Sequence, residues 1–241
     1  QKVKDVIERI GHQNPDLVKP TLGPKNPWAY RNKMQMPVGG TKGDIQMGFY
    51  AMGSHDIVQG TNCPIQDEGN NIIAQACYQI AKEFDIEPYD EHTGKGVLRH
   101  VIGRIGQSGW MTILVTATEH LPHQEKWVEK LTERVPQVET IVHNVNGKRT
   151  NVILGPKNSV LYGDGTITDH IKDLRFTLSP HSFFQVNPEQ TTVLYDQALA
   201  YADLKGTEIV IDAYCGTGTI SLFLAHKAKH VIGIEIVEPA I

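Results

Sequence analysis

The chain has 241 residues, 40% of them hydrophobic and 21% charged, the balance of a soluble globular protein with one or two domains. Its formal charge of −4 excludes a global pull toward nucleic acid, so any RNA contact has to come from local basic patches. No apolar run reaches the length of a membrane span, the first residues are polar instead of a signal peptide, and three irregularly spaced cysteines argue against a disulfide framework; a cytoplasmic protein without a membrane partner is expected.

Val3, Val6, Ile7 and Ile10 recur at helical spacing, so the chain opens with an amphipathic helix, followed by a proline-rich connection over 14–27. Trp28 to Val38 and Asp44 to Val58 read as two strands of a hairpin joined around Gly39, Gly40 and Gly43. Arg31 and Lys33 alternate with apolar or amide positions on the first strand and His55 lies beyond the second. That face either offers cations to a phosphate backbone or is a plain solvated surface. Asn71 to Phe84 is a helix with Ile72, Ile73, Ala76, Cys77 and Ile80 on one side, which makes Cys77 a core residue.

From Gly96 to Leu178 the pattern is mixed α/β. Val97 to Ile105 and Met111 to Ala117 are strands, Glu125 to Arg134 a helix, and Glu139 to Asn146 and Ser159 to Tyr162 extended, with Asp164-Gly165 marking a hairpin turn. His120, His123 and His143 are scattered, and surface placement suits them better than a metal. Asn187 then caps a helix that has Pro188 at its first position, Gln190 in the capping box and a stripe of Val193, Leu194, Ala198 and Tyr201. Capping leaves Phe183-Phe184-Gln185 unexplained: the amide either satisfies local backbone or faces a polar ligand.

The stretch from Glu208 to Glu235 reads as strand, glycine turn, helix, strand. Gly216 and Gly218 let the backbone turn sharply and approach a ligand, and Glu235, about twenty residues after Gly216, lies where it can accept hydrogen bonds from ribose hydroxyls. Ser221 stands where a dinucleotide site wants a third glycine, which favours S-adenosylmethionine over NAD. An ordinary βαβ unit with a tight turn is the bland alternative. Gln1 falls inside a helical pattern and Ile241 just after the second strand of a sheet that normally has more, so a segment of a larger protein is expected.

In Tyr30-Arg31-Asn32-Lys33, Cys63-Pro64, Ser179 to Asn187 (SPHSFFQVN), Asp212 to Gly218 (DAYCGTG) and Gly233 to Glu235, the chain resembles the S-adenosylmethionine-dependent RNA uracil-5-methyltransferases. The resemblance implies a mixed α/β RNA-binding module over 1–175, followed over 176–241 by the N-terminal half of a Rossmann-like class I methyltransferase domain. It implies Gln185, Tyr214 and Glu235 around the cofactor, with Asp212, Gly216 and Gly218 in the same set, and it resolves Gln185 toward the ligand. Arg31, Lys33 and His55 become RNA-binding candidates, with 23S ribosomal RNA the expected partner of a monomeric enzyme. In the ribosomal branch a Cys-Pro matching Cys63-Pro64 is the last of four cysteine ligands to a four-iron four-sulfur cluster; the other three are absent from this sequence.

In that family a cysteine thiolate adds to uracil carbon 6, carbon 5 attacks the cofactor methyl group, and a base removes the carbon 5 proton. The nucleophile of the D-P-P-R-x-G-C motif and the base are both missing here, and Cys215 matches the cysteine of the glycine turn. No catalytic residue is expected in this segment, which by itself should lack methyl transfer. A transfer RNA uracil-5-methyltransferase and a noncatalytic RNA-binding protein with a vestigial cofactor fold are the rival readings.

Overall fold

The computed structural model describes residues 1–236. A seven-stranded sheet in the order β3-β2-β1-β4-β5-β6-β7 organises the chain. Its strands are β1 (Lys33–Thr41), β2 (Asp44–Tyr50), β3 (Ile57–Gln59), β4 (Leu98–Ile105), β5 (Trp110–Thr116), β6 (Val138–Val145) and β7 (Lys157–Tyr162). Neighbours are antiparallel except β5 and β6, whose parallel pairing needs a crossover, supplied by helix α3 (Gln124–Arg134). Helix α2 (Glu68–Glu83) starts at Asp67, whose side chain accepts the Gly69 N–H at 2.9 Å.

Both faces of this sheet are covered, and the side chains sort by strand alternation. Met34, Met36 and Leu114 face α2 and α3, against Ile73, Cys77, Ile80, Trp127 and Leu131. Ile102, Met111, Ile113 and Val115 face the other way, against the hairpin of β8 (Ile167–Ile171) and β9 (Leu174–Leu178) and against Phe184, Tyr195 and Phe223. Phe223 belongs to α5 (Thr219–Ala225) and Tyr195 to α4 (Pro188–Ala202), so this second core carries the glycine-turn segment on the back of the sheet. Strands β10 (Ile209–Ala213) and β11 (His230–Ile234) pair in parallel through α5. Helix α1 (Lys2–Arg9) forms as its spacing predicts but buries none of its residues. Among the described residues no helix is long and apolar enough to cross a membrane.

Five expectations need correction. His143, expected at the surface, is buried on β6 with its Nε2 2.7 Å from Thr116 Oγ1. Residues 28–32 do not extend β1: the Ala29 and Arg31 N–H groups go to the segment after Cys63, to Pro64 and Ile65, both at 2.9 Å, and the Asn32 N–H goes to Val186. Gly39 and Gly40 lie inside β1 instead of the turn, which falls at Lys42-Gly43; a Cβ at Gly40 would collide with the Asp44 carbonyl oxygen, so glycine there permits close strand approach. Asp164-Gly165 does not close a hairpin: β7 pairs with β6 and β8 with β9, and the turn hands the chain from one sheet to the other. On α4 the buried residues are Thr191 and Tyr195, while Leu194 and Tyr201 are exposed. Tyr195 decides that face because its ring meets Phe223 edge-on at 5.2 Å and its hydroxyl meets Thr219 Oγ1 at 2.8 Å, partners invisible to helical periodicity.

Candidate functional site

The glycine turn is built from backbone constraints. Tyr214, Gly216 and Gly218 all take positive φ, of 65°, 56° and 72°. Left-handed backbone is costly for ordinary residues, so the turn exists because glycine fills two of the three positions. The Ile234 carbonyl accepts both the Tyr214 N–H at 2.8 Å and the Cys215 N–H at 3.1 Å, which ties the turn to the end of β11. Gly233 is needed opposite, since a Cβ there would lie 2.8 Å from Cys215 Sγ.

Glu235 emerges from β11 onto this turn. One carboxylate oxygen accepts the Gly216 N–H at 3.0 Å and the other the Ile236 N–H at 2.8 Å. Asp212 accepts from Ser221 Oγ at 2.5 Å, so the residue replacing the third glycine ties α5 to β10. The space over the turn is open: a Cβ at Gly216 would meet no atom within 4 Å, and one at Gly218 only Ser221 Cβ at 3.9 Å. The Tyr214 ring stands out beside it, 88% exposed. A carboxylate, two open glycines and an exposed ring fit a ribose-bearing ligand with an adenine to stack, as S-adenosylmethionine has.

Gln185 lies at the other end of α4. The Asn187 side chain caps that helix by accepting the Gln190 N–H at 3.0 Å. From there to Tyr195, which touches Thr219 next to Gly218, is eight residues or about 12 Å of helix. Phe184 is buried against Phe176 with ring centroids 5.4 Å apart, whereas Phe183 is exposed. The Gln185 amide makes no side-chain hydrogen bond within the described residues, so it is not consumed by local backbone.

Arg31 and Lys33 come together at the start of β1 and are joined by two cations that sequence reasoning missed, Arg104 and His181. Lys33 pairs in register with Arg104 of β4, and its half-buried ammonium is pulled down to about 8 by burial, then by Arg104 and Arg31. Burial also lowers the Arg104 guanidinium to about 10 and, with Arg104 and Lys33 nearby, lowers the exposed His181 imidazole. A cation next to the last residue of an otherwise largely apolar strand, LRHVIGRI, was the available signal for Arg104. Such a concentration of positive charge favours a polyanion.

His55 belongs elsewhere. Its Nδ1 lies 2.6 Å from a Glu91 oxygen, its ring stacks on Tyr50 at 4.8 Å, and the Tyr50 hydroxyl donates to Glu91 at 3.0 Å. Burial works to raise the Glu91 carboxyl, but the His55 and Tyr50 hydrogen bonds hold it below its usual value. Cys63 is partly exposed, its N–H donating to Asn71 Oδ1 at 3.0 Å. Cys77 is buried on α2, where burial pushes its thiol far up, and Cys215 lies in the glycine turn. Among the described residues no group of three or more histidines, cysteines or acids could hold a metal, so these residues do not fit an iron–sulfur cluster by themselves.

No family model matches the chain. It is 51% identical over 243 residues, covering all of this chain and 53% of the relative, to a protein of Halalkalibacterium halodurans named an uncharacterized RNA methyltransferase. A Bacillus cereus protein of the same name is 50% identical with the same coverage. Over its whole length the chain is similar to part of these RNA methyltransferases. It spans about half the length of the curated relatives it matches. Among solved structures it is similar to the Pyrococcus abyssi tRNA (uracil-54, C5)-methyltransferase in complex with S-adenosyl-L-homocysteine, with TM-score 0.72 and 23% identity over 90% of this chain and 52% of that one. That likeness shows the fold, a large mixed sheet followed by a Rossmann-like unit.

Proposed function

We propose that the chain is the RNA-facing module, over 1–175, and the cofactor-binding half, over 176–241, of a cytoplasmic S-adenosylmethionine-dependent RNA uracil-5-methyltransferase acting on 23S ribosomal RNA. The observation that carries this reading is the Glu235 carboxylate held at the Gly216 N–H beside an open glycine turn. When bound, the cofactor supplies an electrophilic methyl group for uracil carbon 5. The residues of this chain bind and orient: Glu235 accepts from ribose hydroxyls, the Gly216 and Gly218 backbone allows close approach, Tyr214 offers a ring face, and Gln185 supplies an uncommitted amide. Arg31 and Lys33 hold phosphates of the substrate, positioning it without reading its sequence. His55, engaged by Glu91 and stacked on Tyr50 away from that surface, would meet RNA only at a separate contact.

Cys63 enters the same proposal as one thiolate ligand of a four-iron four-sulfur cluster whose other ligands lie outside this sequence, and the nucleophilic cysteine and the base lie outside it too. The test is calorimetric titration of the longer protein with S-adenosylhomocysteine. Glu235→Gln and Gln185→Ala should each weaken binding by about 1.5–3 kcal/mol, and unchanged affinity in both overturns the site. Methyl transfer from labelled cofactor to 23S ribosomal RNA fragments, with none to transfer RNA, supports the substrate; the opposite pattern replaces it. Anaerobic iron and sulfide analysis of the longer protein and its Cys63→Ser variant decides the cluster.

A further inference from the structure

Arg104 is 4% exposed on β4, the central strand of the sheet, and nothing in the sheet itself calls for a cation there. Its cross-strand neighbours are Lys33 on β1 and Met111 on β5. A like charge opposite and an apolar residue on the other side both disfavour arginine, and its Nε has no hydrogen-bond partner. Its Nη2 donates to two backbone carbonyls, those of Pro180, at 3.5 Å, and Ser182. Both lie in the loop that leads to Gln185.

That loop is fixed at three places. Ser182 closes a tight turn, its N–H donating to the Ser179 carbonyl at 3.2 Å and its Oγ accepting the Ser179 N–H at 3.0 Å. Arg104 holds the carbonyls of that turn. Past Phe184, which is wedged into the core, the Val186 carbonyl accepts the Asn32 N–H at 2.9 Å. Gln185 therefore sits between an anchor from β4 and an anchor from the residue that separates Arg31 and Lys33. Neither comes from β10 or β11, which carry the rest of the cofactor turn.

We propose that Arg104 is a positioning residue, which presents Gln185 to the cofactor by gripping the 180 and 182 carbonyls and so ties the geometry of the cofactor loop to the RNA-facing edge of the sheet. Both bonds come from one Nη2 amino group, whose two N–H lie in the guanidinium plane, and the shorter, tetrahedral ammonium of a lysine does not reproduce that planar pair at the same reach. The inference rests on Gln185 being a cofactor ligand, as read above.

The test is a double-mutant cycle on the longer protein, with S-adenosylhomocysteine affinity measured by calorimetry for the unaltered protein, Arg104→Lys, Gln185→Ala and both together. Arg104→Lys is expected to weaken binding about tenfold alone and less than about twofold once Gln185 is alanine, because its effect travels through that amide. Independent, additive losses would assign Arg104 a merely structural role and overturn the proposal. A loss with Gln185→Ala but none with Arg104→Lys overturns the positioning alone, whereas no loss with Gln185→Ala removes the cofactor reading together with it. Thermal melts accompany each variant, and Arg104→Gln, which keeps two N–H donors, takes the place of Arg104→Lys in the same cycle should the lysine variant not fold.

Discussion

The two halves of this molecule are stabilised in different ways. In the seven-stranded sheet, Met34, Met36, Ile102, Ile113, Leu114 and Trp127 are all 0% exposed, and the strands are covered on both faces. On β10 and β11, Ile209 and Ile211 are each 63% exposed and Ile232 and Ile234 are 50% and 55% exposed. Yet the sharpest geometry belongs to the second region: three alternating positive-φ positions within five residues, a carboxylate at a glycine N–H, and a loop gripped by Arg104. Packing supplies the stability on one side, and backbone hydrogen bonds and glycine shape the site on the other, leaning on the first region through Phe184, Tyr195 and Phe223.

The largest expected effect breaks that comparison directly if it is wrong. Ile113→Ala should destabilise the chain by about 2–5 kcal/mol in urea unfolding, since it opens a cavity in a closed core. Ile211→Ala should cost about 1 kcal/mol or less, because most of its side chain already meets solvent. Equal costs would mean that the two regions are packed alike.

Gly216→Ala sharpens the contrast between shape and stability. Nothing lies within 4 Å of the new methyl, so the stability cost should be limited to left-handed strain, about 1–2 kcal/mol. The same methyl occupies the open space over the turn, and S-adenosylhomocysteine affinity should fall by at least about tenfold. A variant that binds the ligand normally would show that the cofactor does not approach this backbone.

The smallest effect is a pH dependence. The Lys33 ammonium, pulled down to about 8 in the folded chain, is released at a lower pH than in the unfolded chain, where lysine titrates near 10.4. Between these values the unfolded state binds more protons, so stability rises with pH through the window as the burial penalty on the charge is relieved. RNA affinity should move the opposite way, falling above about pH 8 with roughly one unit less slope in its log–log salt dependence. Lys33→Arg, which stays charged, should abolish that change in the longer protein; persistence of the change would assign it to another group.

The local elements and the glycine turn were legible in the residues alone. Helices α2 and α3, strands β4 to β6 and the strand–turn–helix–strand from 209 to 234 lie within a residue or two of where periodicity puts them, α2 starting three residues earlier at its Asp67 cap. Glu235 and Gly216 were found by spacing and do meet. Such features are set by constraints between near neighbours: side-chain period, a cap, or the φ a glycine permits. Partner choice is different. Asp164-Gly165 looked like a hairpin because turn chemistry is local, but whether the flanking strands pair with each other depends on β6 and β9, far along the chain.

The same distinction runs through the site. The sequence by itself determined the glycine turn, the carboxylate after β11, the capped helix behind an unexplained amide and a pair of cations near the first strand. Only the tertiary structure decided that Arg104 crosses 76 and 78 residues of sequence to hold Pro180 and Ser182, that His55 is engaged by Glu91, and that Tyr195 chooses the buried face of α4. A buried guanidinium is defined by what it reaches, and what it reaches is fixed by sheet register and loop path, neither of which is written in the residues beside it.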